Sequence, residues 1–246
     1  MKSFSVVIPV YNELDTWKEL LARVQAVQIP GLRRQIVLVE DGSRDGTRKQ
    51  LEEFAATLPP PSDGDQVKVV FHPVNQGKGA ALRTGFASAQ GDIVIIQDAD
   101  LEYDPSEYPR LFEPLLSGRA DVVYGSRFYH GRPPDTYLKN YLANRLLTWM
   151  SNRTTGLKIT DMETCYKVFR REIIGGVRIE QNRFGFEPEV TAKIAQLGAR
   201  VVEVPIAYQG RTHEEGKKIG WKDGLKAIWC ILKYGVFGRG KGIERD

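Results

Sequence analysis

The chain is poor in cysteine, methionine and histidine, with 2, 3 and 3 of them among 246 residues. Cysteines at 165 and 230 are too few and too far apart for a disulfide framework or a zinc site, and they fit a reduced setting. Long apolar runs are also missing. No stretch approaches the roughly 18–20 apolar residues that span a bilayer, so no transmembrane segment is expected. The N-terminus enters a strand-like run at once, without a cationic segment leading an apolar one, so no signal peptide is expected. Charge of one sign is scarce too: 35 basic against 31 acidic residues leave +4. That balance does not mark a nucleic-acid binder. The basic excess is local, from Arg211 onward.

What the chain does have is alternation. Strand-like runs at 4–9, 35–40, 67–72, 93–97 and 121–125 alternate with helix-like segments at 14–27, 47–58, 79–88 and 105–116. This rhythm predicts an α/β fold with a mostly parallel, Rossmann-like sheet flanked by helices. Runs such as IVLV and IVII, with no polar alternation, suit strands buried on both faces. The length fits one α/β domain over 1–246, and PPPSDGD at 59–65 reads as a loop inside it. After Ser126 the pattern changes. Residues 129–135 read as an irregular loop and 137–150 as an amphipathic helix. Further strands are expected around 160–169 and 200–206, with a helix over 188–197 between them and a last helix over 222–234.

The run IVIIQDADLEYD at 93–104 is the most informative. A buried strand ends on two carboxylates two positions apart, and alternating side chains place Asp98 and Asp100 on one side. Neighbouring carboxylates repel unless a cation or donors compensate. At the carboxyl end of a central strand, where open α/β sheets bind ligands, the pair points to a divalent metal holding phosphates. A polar turn closing a strand explains the two acids equally well on their own. Other polar groups also follow strand ends: PVYNE at 9–13, EDGSRDGT at 40–47 and NQGKGA at 75–80. Asp45 reads as a cap for the next helix, whereas Asp41 sits where a base or ribose is gripped. The glycines at 77–79 make neither a dinucleotide fingerprint nor a Walker A loop. A helix start with Lys78 beside it can still attract an anion.

Taken in order, VIPVYNE (7–13), VEDGSRDGT (39–47), NQGKGA (75–80), DAD (98–100) and VYGSR (123–127) form a recognisable series. With Asn144-Arg145, Asp161, Cys165, residues 184–189, Arg211 and Lys217, the series resembles a family-2 glycosyltransferase of GT-A fold. The closest resemblance is to the dolichyl- or polyprenyl-phosphate mannose and glucose synthases, over nearly the whole chain. It implies a nucleotide-sugar-binding half over 1–126, an acceptor-side half over 127–220 and a basic amphipathic helix over 221–246. Pro9, Tyr11, Glu13 and Asp41 would line the nucleoside pocket, with Asp98 between that pocket and the metal. Asp98, Asp100 and Glu102 would surround Mg²⁺ or Mn²⁺. Arg127, Arg211 and Lys217 would face phosphates, and with Asp100 make the catalytic set. The chain departs from the family pattern at Glu40, where Asp is frequent, and at Glu102, where Gln is frequent. Gly216 stands where a Ser is usual, which leaves Lys217 and Lys218 both open.

The implied reaction is inverting, metal-dependent transfer of a hexose from a GDP-mannose or UDP-glucose type donor to polyprenyl or dolichyl phosphate. A phosphate monoester has a second pKa of about 6 and is already a nucleophilic anion at neutral pH. A hydroxyl acceptor, on a soluble or polymeric glycan, would need a base. Glu187 or Glu189 is the candidate there, although either also suits an ordinary helix entry. A non-catalytic nucleotide-sugar adaptor is the remaining alternative. In the last helix, Leu225, Ile228, Trp229, Ile231 and Leu232 form an apolar face, with Lys222, Lys226 and Lys233 opposite and Arg239 and Lys241 beyond. Such a helix lies in a membrane interface or packs on the sheet. The expected setting is cytoplasmic and peripheral, at the cytoplasmic face of a membrane or through a membrane partner protein.

Overall fold

The computed structural model describes residues 1–60, 64–133, 136–210 and 221–238, except for the side chains of 221–223. Strands β1 (Ser3–Val10), β2 (Arg33–Glu40), β3 (Gln66–Phe71), β4 (Ile93–Ile96), β5 (Val122–Ser126), β6 (Lys167–Arg170) and β7 (Val201–Pro205) join one sheet. Its order is β3-β2-β1-β4-β6-β5-β7. β6 runs antiparallel to β4 and β5, and the other pairings are parallel. The mostly parallel sheet expected from the alternation therefore forms. Every residue of β4 is buried, as its unbroken apolar run requires.

Helices α1 (Trp17–Ala26), α2 (Thr47–Ala56), α3 (Lys78–Ser88) and α4 (Tyr108–Leu116) connect the first five strands. α5 (Leu138–Thr155), α6 (Arg171–Gly175), α7 (Phe186–Gln196) and α8 (Trp221–Leu232) follow. α7 begins two residues before the expected 188, because Pro188 sits in its first turn, where a missing N–H breaks no helical bond. α5 runs past the expected 150 and stops where Gly156 turns left-handed at φ 79°. The expected strand over 160–169 is real only from Lys167. Upstream, side chains take the backbone groups that a ladder would use. Glu203 accepts from the backbone N–H of Thr160 (2.8 Å) and Asp161 (3.1 Å), and Lys167 Nζ donates to the carbonyls of Met162 (2.9 Å) and Thr164.

The reversed direction of β6 positions the site. Its start at Lys167 lies at the same sheet end as the finishes of β1, β2, β4, β5 and β7. Loops after these five strands and after β3, the sixth parallel strand, therefore meet the irregular 160–166 segment at one edge.

Candidate active site

Two loops interlock at the ends of β1 and β2. Asn12, at φ 52°, takes the left-handed conformation that Asn tolerates. Its N–H donates to Ser43 Oγ (3.0 Å) and its Oδ1 accepts from the Arg44 N–H (2.9 Å). Glu13 N–H donates to Thr47 Oγ1 (3.1 Å), and Asp45 accepts from the N–H groups of Thr47 (3.0 Å) and Leu14 (3.2 Å). Asp45 thus does act at the start of α2. Burial raises its pKa, but these hydrogen bonds outweigh that and leave it below the usual carboxylate value. Pro9, near the end of β1, and Tyr11 and Glu13, in the loop after it, are each partly exposed.

Asp41, just after β2, is buried. Only 2% exposed, it accepts from the N–H groups of Gln76 (2.9 Å) and Gly77 (2.7 Å) and from Asn75 Nδ2 (2.8 Å). His72 Nδ1 lies 2.7 Å from the same carboxylate. These contacts tie Asp41 to the 75–77 loop. Glu40, fully buried, plays a similar internal part by accepting from Arg48 Nη1 at 3.2 Å.

The acid turn after β4 rests on a buried polar support. Gln97 Oε1 accepts from Tyr108 OH (2.7 Å) and Tyr166 OH (2.8 Å), while its Nε2 donates to the Asp98 carbonyl (3.1 Å). Asp98 accepts from Lys78 Nζ at 3.0 Å and from the Cys165 thiol. Lys78 also meets Glu187 Oε1 at 3.2 Å. Burial alone would depress the Lys78 pKa, but Asp98 and Glu187 hold it well above the usual lysine value. The lysine expected to attract an anion therefore already sits between two carboxylates. Asp100 is half-buried and accepts from the Glu102 N–H at 3.3 Å, and Glu102 Oε2 accepts from Tyr208 OH at 3.0 Å. Among the described residues no three side chains of the metal-binding types converge on one point. The donors are all oxygens, which fits a hard cation shared between one or two carboxylates and a diphosphate better than a closed protein cage.

Arg127 faces this turn from the end of β5. Its Nε and Nη2 fork onto Asp161 at 2.7 and 2.8 Å, and Asp161 is fully buried. Asn144 Nδ2 donates to the same acid at 3.1 Å, so the Asn144 and Asp161 matches meet at one point. Burial works against the charged guanidinium, but Asp161 raises its pKa well above the usual value. The Arg127 guanidinium lies 5.1 Å from the centre of the Tyr208 ring, whose hydroxyl holds Glu102. One tyrosine thus joins the acid turn to the cationic side. Arg211, Lys217 and Lys218 lie outside the described residues, as do Arg239, Lys241 and the Lys222 side chain.

The two candidate bases separate. Glu189 is fully buried and spent: it accepts from the N–H groups of Glu180 (2.7 Å) and Gln181 (2.8 Å) and from Lys193 Nζ (2.6 Å). Glu187 instead reaches Lys78. Sequence reasoning missed Glu163, Thr164, Lys167 and Tyr208. Burial, with Glu187 nearby, pushes Glu163 up to about 8. Burial also lowers Lys167, with Glu187 and Glu163 opposing. A signal was available, since Asp161, Glu163, Cys165 and Lys167 alternate in TDMETCYK and would share one face of an extended chain.

The mixed seven-stranded sheet, with polar loops gathered at one edge, is a GT-A fold. The chain aligns over all of its length with the crystal structure of glucosyl-3-phosphoglycerate synthase from Mycobacterium tuberculosis in complex with Mn²⁺, uridine diphosphate and glucosyl-3-phosphoglycerate. That match has a TM-score of 0.70 at 20% identity and covers 82% of the synthase. Residues 5–177 match the model of glycosyl transferase family 2, and the chain belongs to that family. It is 37% identical over 215 residues to the undecaprenyl-phosphate 4-deoxy-4-formamido-L-arabinose transferase of Pseudomonas fluorescens, covering 87% of this chain and 59% of the relative. It is 31% identical over 237 residues to the dolichol-phosphate mannosyltransferase of Pyrococcus furiosus, covering 94% and 64%. The chain thus spans about three fifths of the length of the curated relatives it matches. Among the described residues no helix is long and apolar enough to cross a membrane.

Proposed function

We propose that this chain transfers a sugar from a nucleotide donor to a polyprenyl phosphate, with inversion at the anomeric carbon. The observation that carries the reading is the Tyr208 bridge. Its hydroxyl holds Glu102 beside Asp100, while its ring lies against the Arg127 guanidinium. A place for a diphosphate and a cation for a second phosphate are therefore neighbours. Relatives named for undecaprenyl-phosphate and dolichol-phosphate substrates support the acceptor class.

In this reading Pro9, Tyr11 and Glu13 line the nucleoside pocket, on a floor set by Asp41 and the 75–77 loop. Asp100, with Asp98 and Glu102 beside it, would hold Mg²⁺ or Mn²⁺ on the donor diphosphate. The ion would neutralise the charge that collects on the leaving group. Arg127 orients the acceptor phosphate through charge-assisted hydrogen bonds, and Arg211 and Lys217, outside the described residues, are the further cations assigned to the phosphates. A phosphate oxygen attacks the anomeric carbon as the bond to the diphosphate breaks. The attacking group is already anionic, so no side chain has to remove a proton. This agrees with Glu189 being fully committed elsewhere. The enzyme would work against the cytoplasmic face of a membrane, through its own exposed apolar surface or a membrane partner protein.

The test is a panel of UDP- and GDP-linked sugars with a polyprenyl phosphate, with and without Mg²⁺ or Mn²⁺. Sugar transfer to the lipid phosphate that stops on chelation is the expected result. Transfer only to glycan hydroxyls would overturn the acceptor assignment, and nucleotide-sugar binding without turnover on any acceptor would overturn the enzymatic one.

A further inference from the structure

Three buried polar atoms beside the acid turn have no hydrogen-bond partner among the described residues: Glu163 Oε1, Thr164 Oγ1 and Glu187 Oε2. A dry, unsatisfied polar atom costs about 1–3 kcal/mol, so three in one neighbourhood mark a place that a ligand completes. Glu187 is 5% exposed and Thr164 is fully buried. The other oxygen of Glu187 lies 3.2 Å from Lys78, which reaches Asp98 at 3.0 Å. Glu163 lies within electrostatic reach of Glu187, Lys167, Arg127 and Asp161. Glu187 and Glu163 thus link the Lys78–Asp98 pair of the acid turn to the arginine. The Glu163 backbone is fixed, because Lys167 Nζ binds the carbonyls on either side of it and Glu203 binds the N–H groups just upstream.

In the reaction proposed above, the group between a departing diphosphate and an attacking phosphate is the sugar ring. Its free hydroxyls can donate to the carboxyl oxygens and accept from the Thr164 hydroxyl. We propose that Glu163, Thr164 and Glu187 form the subsite that receives the hydroxyl groups of the transferred sugar, and so select which sugar is used. This rests on the reading that the donor is a nucleotide sugar. The three are positioning residues, since they hold the ring and do not touch the bonds that form and break.

Titration calorimetry on Glu163→Gln, Thr164→Val and Glu187→Gln separates this from a structural role. Each variant is titrated with UDP and UDP-glucose and with GDP and GDP-mannose. Nucleoside diphosphate affinity should stay within about twofold of the parent, while affinity for the preferred nucleotide sugar falls about tenfold. A donor lacking one hydroxyl should lose its sensitivity to the substitution that removes that hydroxyl's partner. Parallel loss of both ligands, or unchanged nucleotide-sugar affinity in all three variants, would overturn the subsite while leaving the donor reading intact. A parent that binds neither nucleotide sugar would overturn both. Should one variant fail to fold, the other two carry the same readout.

Discussion

At the residue scale, Arg127 shows how a buried ion pair constrains what a mutation can reveal. Its partner Asp161 is fully buried, so truncating the arginine would leave an uncompensated charge and cost about 3–5 kcal/mol. Arg127→Ala would therefore report misfolding as readily as lost recognition. Arg127→Lys keeps the charge and loses the fork onto Asp161. The acceptor KM should rise about tenfold with donor affinity held within about twofold, as read by steady-state kinetics and calorimetry. Equal weakening of both would place the residue on the donor side. Asp100 is a cleaner site because it is only half-buried. Asp100→Ala should abolish transfer and leave the melting temperature within about 2 °C of the parent. Undiminished turnover would remove the metal assignment.

At the scale of elements, two loops meet so closely that side chains are excluded between them. A Cβ on Gly79 would stand 2.1 Å from the Gln181 carbonyl oxygen, and one on Gly77 would stand 2.4 Å from that of Asn182. Both obstacles are backbone, so neither can step aside cheaply. Gly79→Ala should push the start of α3 off the 181–183 loop and pull Lys78 away from Asp98 and Glu187. The expected outcome is loss of nucleotide binding with a lowered melting temperature, and a variant that binds nucleotide normally would refute it. At the far end of the sheet, Asp121 ties β5 to the entry of β7 through Arg200 and to β6 through Arg170, at 2.8 and 3.3 Å. Hydrogen bonding from Arg200 brings its pKa down to about 2 from 3.8. A depressed carboxylate contributes stability above its unfolded value and loses it as pH falls through the folded one. The melting-temperature deficit of Asp121→Asn should therefore be full near pH 7, shrink below about pH 4 and vanish near pH 2. A deficit independent of pH would show that the ion pair contributes nothing.

The same scale shows what the sequence could disclose. β1, β2 and β4 were legible because unbroken apolar runs leave a buried strand as the simplest reading, and Asp98 and Asp100 were legible because they close such a run. The 160–166 segment was not, because its backbone is held by Glu203 and Lys167, whose partners cannot be read from local pattern. Asp41 was visible as a polar residue following a strand, but its contacts with the 75–77 loop were not. Its partners lie 31 to 36 positions away, and only the fold brings them together. Glu187 and Glu189, alike in sequence, parted for the same reason.

At the scale of the whole molecule, α5 is inside out. Its buried residues are Asn144, Thr148 and Ser151, whereas Leu138, Leu142, Leu146 and Trp149 are exposed. The inward polar side is explained by the site, since Asn144 and Thr148 support Asp161 and the Met162 N–H. The outward leucines recur every fourth residue, on one face. α8 packs against α5 and adds to that surface. The apolar face expected there is in fact two faces: Ala227, Cys230 and Ile231 turn inward, while Leu225, Trp229 and Leu232 turn out, with Val236 and Phe237 after them. Packing on the core and contact with an interface, which the sequence left as alternatives, are thus both open to the one helix. Lys233 lies 5.0 Å over the Trp229 ring, an aromatic and basic pairing suited to a headgroup layer. Each such side chain is worth about 1.5–3 kcal/mol on full burial, so removing two aromatics should weaken membrane partition more than tenfold. Trp149 is 59% and Trp229 53% exposed, and neither belongs to the site. Trp149→Ser combined with Trp229→Ser should abolish flotation with anionic phospholipid vesicles. Turnover on a short, water-soluble polyprenyl phosphate should persist, because the reacting groups are untouched. Vesicle binding equal to the parent's would mean that this face meets something other than lipid.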